Sequence, residues 1–162
     1  MTHSSQPHLT SLTRHFHDLR DGTHGGVRSR LDKESIFAAA VTMLDWFARQ
    51  VLWELNDVLM LGRGTVATTG LVADASGGMS ADWSLSWPEQ RSAGIQPVII
   101  RAFYGSGFHH PHLRGGTVGD WPLNVYNVDD AAAELSTLRA IASADLHNLV
   151  FQADYRIIPA LG

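Results

Sequence analysis

Between residues 35 and 61 the apolar positions return at steps of three and four. Ile36, Ala40, Leu44, Phe47, Val51, Leu55 and Val58 share one helical face, which predicts a long amphipathic helix with those side chains in the core. Asp32 is placed to cap its start, and Gly62 and Gly64 to stop it. Past Gly64 the period drops to two. Residues 64–74 predict a strand and Ser76-Gly77-Gly78 a turn. Met79, Ala81, Trp83, Leu85 and Trp87 then alternate with Ser80, Asp82, Ser84 and Ser86, the pattern of an antiparallel strand with one buried and one wet face. Pro88 ends that strand. Residues 98–104 are apolar on both faces and suit a central strand.

Residues 105–121 show no period, only Gly, His, Pro and Arg, and predict a long irregular loop of the kind that often carries function. A short strand is expected after Trp121, and a second helix capped by Asp129 and Asp130. The alternation of Leu149, Phe151, Ala153, Tyr155 and Ile157 predicts a C-terminal strand. Residues 1–30 are polar without a sustained period and read as a flexible His-rich arm. The predicted architecture is α+β. A long N-terminal helix packs on an antiparallel β-meander, followed by a His/Gly-rich loop, a second helix and a last strand, with residues 31–162 forming a single domain.

Composition narrows the function. The 162 residues carry 12 Lys+Arg against 16 Asp+Glu, a net charge of -4, so no basic excess points to nucleic acid. No apolar run is long enough to span a membrane, and the polar N-terminus does not read as a secretory signal. With no cysteine, thiol nucleophiles, zinc ribbons and disulfides are all excluded. The expectation is a soluble cytoplasmic domain. Lys33 is the only lysine and reads as a solvated position at a helix start.

Chemistry concentrates in Gly105-Ser-Gly-Phe-His-His-Pro-His-Leu-Arg-Gly-Gly. In extended backbone His110 and His112 project to one side. With one further ligand drawn from Asp120, Asp145 or His147 they would hold Fe(II), Mn(II) or Zn(II) with open positions for a substrate. The competing reading makes them hydrogen-bonded residues that shape a turn around Pro111. His109 is a further candidate contact, and Arg114 beside Gly115 and Gly116 could take a carboxylate or phosphate. Ser106 lacks a nucleophile elbow, and Gly62–Gly70 lacks the lysine of a phosphate loop. In the N-terminal arm His15, His17 and His24 with Asp18 and Asp21 form a second, adventitious metal candidate. Trp46 and Trp53, seven residues apart and off the core stripe, predict either a covered second layer or a surface for a partner or a second copy.

Gly77-Gly78, Trp87-Pro88, Pro97-Val98-Ile99-Ile100, His110-Pro111-His112 and Trp121-Pro122 follow one another in the order of motifs in the ubiquitin-conjugating-enzyme fold. Residues 35–142 thus resemble that family. There is no cysteine to carry a thioester, and His112 stands where the family's motif has Asn. The resemblance therefore implies a catalytically inactive, partner-binding relative. The first expectation is a non-catalytic interaction or accessory domain that binds a protein partner. The alternative is a small His-ligated metal-dependent enzyme or metal-binding domain using residues 105–121.

Overall fold

The computed structural model describes residues 6–162. Two helices precede the sheet, α1 (Pro7–Asp21) and α2 (Arg30–Leu59). Six strands follow with a short helix among them: β1 (Thr65–Thr68), β2 (Val72–Ala73), β3 (Met79–Ser86), α3 (Pro88–Ser92), β4 (Val98–Tyr104), β5 (His112–Gly115) and β6 (Trp121–Pro122). Then come α4 (Val128–Ala133), α5 (Leu135–Gln152) and two 3-10 turns at Tyr155–Ile157 and Pro159–Leu161. The protein is α+β, as its periodicity predicts.

The sheet is antiparallel in the order β1-β3-β4-β5-β6, with β2 also paired to β3. Its inner face carries Ala81, Trp83 and Leu85 of β3 and Val98, Ile100, Ala102 and Tyr104 of β4, all buried. Ser84 opposite Ile99 and Asp82 opposite Arg101 occupy the outer face, where Arg101 grips Asp82 through two hydrogen bonds of 2.7 and 2.9 Å. Helices α2 and α5 cover the inner face. The Trp83 indole N–H donates to Asp45 Oδ1 of α2 at 2.9 Å, and Trp87 donates to the Ile157 carbonyl at 2.6 Å. Both tryptophans thereby bury their rings without leaving a donor unpaired. Asp145 of α5 is fully buried. Its carboxylate accepts from the Ile99 and Thr117 amides and the Thr117 hydroxyl at 2.6–2.9 Å, tying α5 to the central strand.

Several elements differ from expectation. Helix α2 starts earlier, because Ser29 caps it by accepting from the Asp32 amide at 3.1 Å. Its buried face is turned by about one position from the expected stripe: Phe37, Ala40, Val41, Leu44, Ala48, Val51 and Leu52 form the core. Ile36, Phe47 and Leu55 lie at the margin, and Val58 is exposed. The packing of two helices on one twisted sheet sets that rotation, and the helix alone does not. The predicted strand at 64–74 is two short strands, and α3 occupies part of the polar loop after Pro88.

The irregular 105–121 segment contains β5 and the first residue of β6; β5 forms because Leu113 and Gly115 turn inward while His112 and Arg114 turn outward against β4. That two-residue alternation is too short to stand out among glycines. The second helix is divided at Glu134, and its first part is capped by Asn127, whose side chain accepts from the Asp130 amide at 2.8 Å. The predicted C-terminal strand is absent from the described residues. Leu138, Ile141, Ala142, Asp145, Leu146 and Leu149 make one helical face, and the alternation after Leu149 is incidental, since Phe151 and Tyr155 are exposed.

The His-rich arm is also more structured than its polarity suggests. Part of it, residues 1–5, lies outside the described residues, but Pro7–Asp21 is helical, opened by Pro7 and closed by Gly22 at φ 68°. Its Leu9, Phe16 and Leu19 are largely exposed, while Ser11 is buried. Among the described residues no helix is long and apolar enough to cross a membrane.

Rotation of the α2 stripe is checked by two deletions. Leu52→Ala empties a fully buried position and should cost about 2–5 kcal/mol of unfolding free energy. Val58→Ala should change it by less than about 0.5 kcal/mol. Equal urea midpoints for the two variants would refute the placement.

Candidate functional site

Helix α1 meets the rest of the protein through polar side chains. The Asn124 amide donates to the Ser11 carbonyl at 2.8 Å, and Arg14 pairs with Asp130 at 2.8 Å. Beside them four imidazoles gather. The His15 ring centre is 5.1 Å from that of His110 and 5.7 Å from that of His112, and His24 lies 6.1 Å from His110. The structure therefore brings the two separately predicted histidine groups, the arm and the loop, into one cluster.

Most of these rings are already engaged. His110 Nε2–H donates to the Thr23 carbonyl at 2.8 Å, and His112 Nδ1–H donates to the His110 carbonyl at 3.0 Å. The Tyr126 hydroxyl is the hub on the other side, 3.2 Å from each of His24 Nδ1, Asp18 Oδ2 and Asn124 Oδ1. His15 Nδ1 is enclosed without a hydrogen-bond partner among the described residues.

Burial works against charging the inner rings of the cluster. Burial pushes His24 down to about 4, with smaller contributions from His110, Lys33 and His15, and Asp18 opposes it. Asp18 lies 3.9 Å from the ring, too far to offset the lost hydration, so the two do not form an ion pair at neutral pH. His15 and His110 are lowered as well, first by burial and then by neighbouring positive charge from His110 and His112, and from Lys33, respectively. Burial first, then Asp18, pushes the Tyr126 phenol up. Glu134, also buried against α1, moves the opposite way from the histidines: loss of water raises its carboxyl to about 7.

The expected metal set does not assemble. His110 and His112 each donate one ring N–H to a carbonyl, which orients the rings and leaves the second nitrogen of each outside those bonds. Asp145 is spent on Ile99 and Thr117. Asp120 lines a cleft with Trp121 and Ile141, and His147 lines another with Leu59 and Ile158. Among the described residues no group of three or more His, Asp or Glu is arranged to hold a metal ion. His17 is exposed and Asp21 is held by Arg20 at 2.8 Å, so the arm's own candidate set is dispersed.

The other candidates fall in three places. Arg114 projects from the outer face of the sheet, 5.9 Å from the Phe103 ring centre, and its Nε–H donates weakly to the Gly115 carbonyl at 3.4 Å. His109 lines a cleft at the start of α2. Trp46 and Trp53 stand together on the outer side of α2, 61% and 38% exposed, with ring centres 5.8 Å apart at 72°.

Lys33 was missed by sequence reasoning: it is 6% exposed, not solvated. Its position four residues before Phe37 on the buried face was the available signal. No protein-family model matches the chain, and no curated protein or solved structure matches it significantly.

The opposed titrations give a test. A histidine lowered by burial costs stability as pH falls from 6.5 towards 4, whereas raised Glu134 costs stability as pH rises from 4.5 through 7. The limbs oppose each other, so variants must separate them. Relative to wild type, Glu134→Gln should steepen the gain of stability with pH between 4.5 and 6.5, and His24→Gln should flatten it, each by up to about 3 kcal/mol. Parallel stability–pH curves for all three proteins would exclude the assignment.

Proposed function

We propose that the protein is a non-catalytic interaction domain and that it docks a protein partner on the outer face of α2. The observation that carries this reading is the exposed Trp46–Trp53 pair. Two indoles locked edge to face on solvent leave a large apolar surface wet, and tryptophan at the centre of a contact is the residue type that most often dominates binding energy.

The surroundings suit such a surface. Arg49 holds Asp45 at 2.9 Å, and Arg139 of α5 holds Glu54 through bonds of 3.0 and 2.6 Å. These ion pairs form a polar rim about an apolar centre, which is the anatomy of a transient interface.

The resemblance to the ubiquitin-conjugating fold supports the same reading. That resemblance rests on the order of the sequence motifs from Gly77-Gly78 to Trp121-Pro122, and the absence of cysteine leaves no thioester chemistry. The bonds of His110 to the Thr23 carbonyl just after α1, and of His112 to the His110 carbonyl, support a structural role for these two residues.

In the isolated protein, acrylamide should quench Trp46 and Trp53 while Trp83 and Trp87 stay shielded. A photocrosslinker at Gln50, between the two indoles on the helix surface, should give one adduct of defined mass in native extract, and Trp46→Ala/Trp53→Ala should remove it. Failure to form that adduct, or an adduct indifferent to the double substitution, would overturn the docking surface.

A further inference from the structure

At the opposite end of α2 from its glycine stop, the loop 105–109 folds over the first helical turn. Arg30 holds it there. Its guanidinium lies 3.5 Å from the Tyr104 ring centre, donates to the carbonyls of Gly105 at 3.1 Å and Phe108 at 2.9 Å, and is steadied by Glu34 at 3.0 Å. Gly105 is required by that fold, because a Cβ there would come within 2.5 Å of the Phe108 ring. The result is a cleft of about 300 Å³ lined by Arg28, Arg30, Lys33, Tyr104, Ser106, Gly107, Phe108 and His109.

Three of those eight residues are basic and none is an acid, in a chain whose net charge is -4. Lys33 is the informative one. It is more than nine-tenths buried, forms no ion pair among the described residues, and its ammonium makes a single bond, to the His109 carbonyl at the 3.5 Å limit. A buried ammonium with spare protons and no counter-charge is costly unless an anion completes it. Arg28 stands at the rim, exposed and with no hydrogen bond among the described residues, and the nearest carboxylate it acts on is that of Asp21, which Arg20 already holds. The N-terminus of the 30-residue α2 adds its positive end.

We infer that this cleft binds a phosphate group, with Lys33 at its base, Arg28 closing over it and Ser106 and His109 beside it. A dianion matches uncompensated cations better than a single carboxylate, and an arginine fork fits phosphate oxygens in pairs. Arg30 is a positioning residue, since its donors are occupied by the loop. The site shares no residue with the Trp46–Trp53 face, so either reading can fail while the other stands.

The test follows amide shifts of 15N-labelled protein as sodium phosphate replaces sodium chloride at constant ionic strength. Saturable shifts are expected at Ser106, Gly107 and His109. Arg28→Ala should weaken binding about tenfold, the loss expected for one charge-assisted hydrogen bond, and Arg28→Glu should abolish it. Because Arg28 is exposed and unbonded, these variants fold whatever Lys33→Met does. A wild type without saturable shifts, or an Arg28→Glu protein that binds as tightly as wild type, overturns the proposal. A phosphoserine peptide that binds at least tenfold tighter than inorganic phosphate identifies the source as a phosphorylated partner. Equal binding of glycerol phosphate and the peptide identifies it as a small phosphate ester. Either result supports the site.

Discussion

One face of a single antiparallel sheet has to be buried, and α2 and α5 together bury it. Trp83, Leu85, Ile100, Ala102, Tyr104 and Leu113 all point to that side and are sealed from water. The rest of the molecule follows from this arrangement. Asp45 and Asp145, one on each covering helix, reach the sheet and its loops, Asp45 through one oxygen to Trp83 and Asp145 through both to Ile99 and Thr117. Register and helix placement are therefore fixed by polar bonds as well as by the area of apolar contact.

Helix α1 lies outside that core, where its His8 lines a cleft with Trp121 and Ile141. It attaches through Ser11, Arg14, His15 and Asp18, and keeps Leu9, Phe16 and Leu19 largely in water. An interface made of imidazoles, a phenol and carboxylates depends on protonation state in a way that an aliphatic one does not. The lowered His24 and the raised Glu134 titrate over much the same pH range with opposite effects on stability, so their contributions to the α1 attachment offset each other there.

The two proposed surfaces both belong to α2 but lie on different parts of it. Its first turn, with Arg30 pinned to the 105–109 loop, makes a small cationic cleft. Its middle turns present paired indoles ringed by ion pairs. A thirty-residue helix is long enough, at about 1.5 Å per residue, to separate them by tens of ångströms. On the two proposals, one surface would select charge and the other would supply apolar area.

Local periodicity was enough to determine the long helix, the strand at Met79–Ser86 with its buried tryptophans, the central strand and the α+β class. It also marked Trp46 and Trp53 as off the core face. Those signals are strong because each element pairs a long regular segment with one buried side. The sequence did not determine β5, which owes its two inward side chains to pairing with β4, or the helical end at 149–152, where two periods fit the same residues. Only the tertiary structure placed the histidines of the first 24 residues against those of the loop, and put Lys33 under His109 beside Arg28. Contacts between residues so far apart in the chain leave no periodic trace. They lie at the edge of the core that α2 and α5 close, where the polar segments pair with one another.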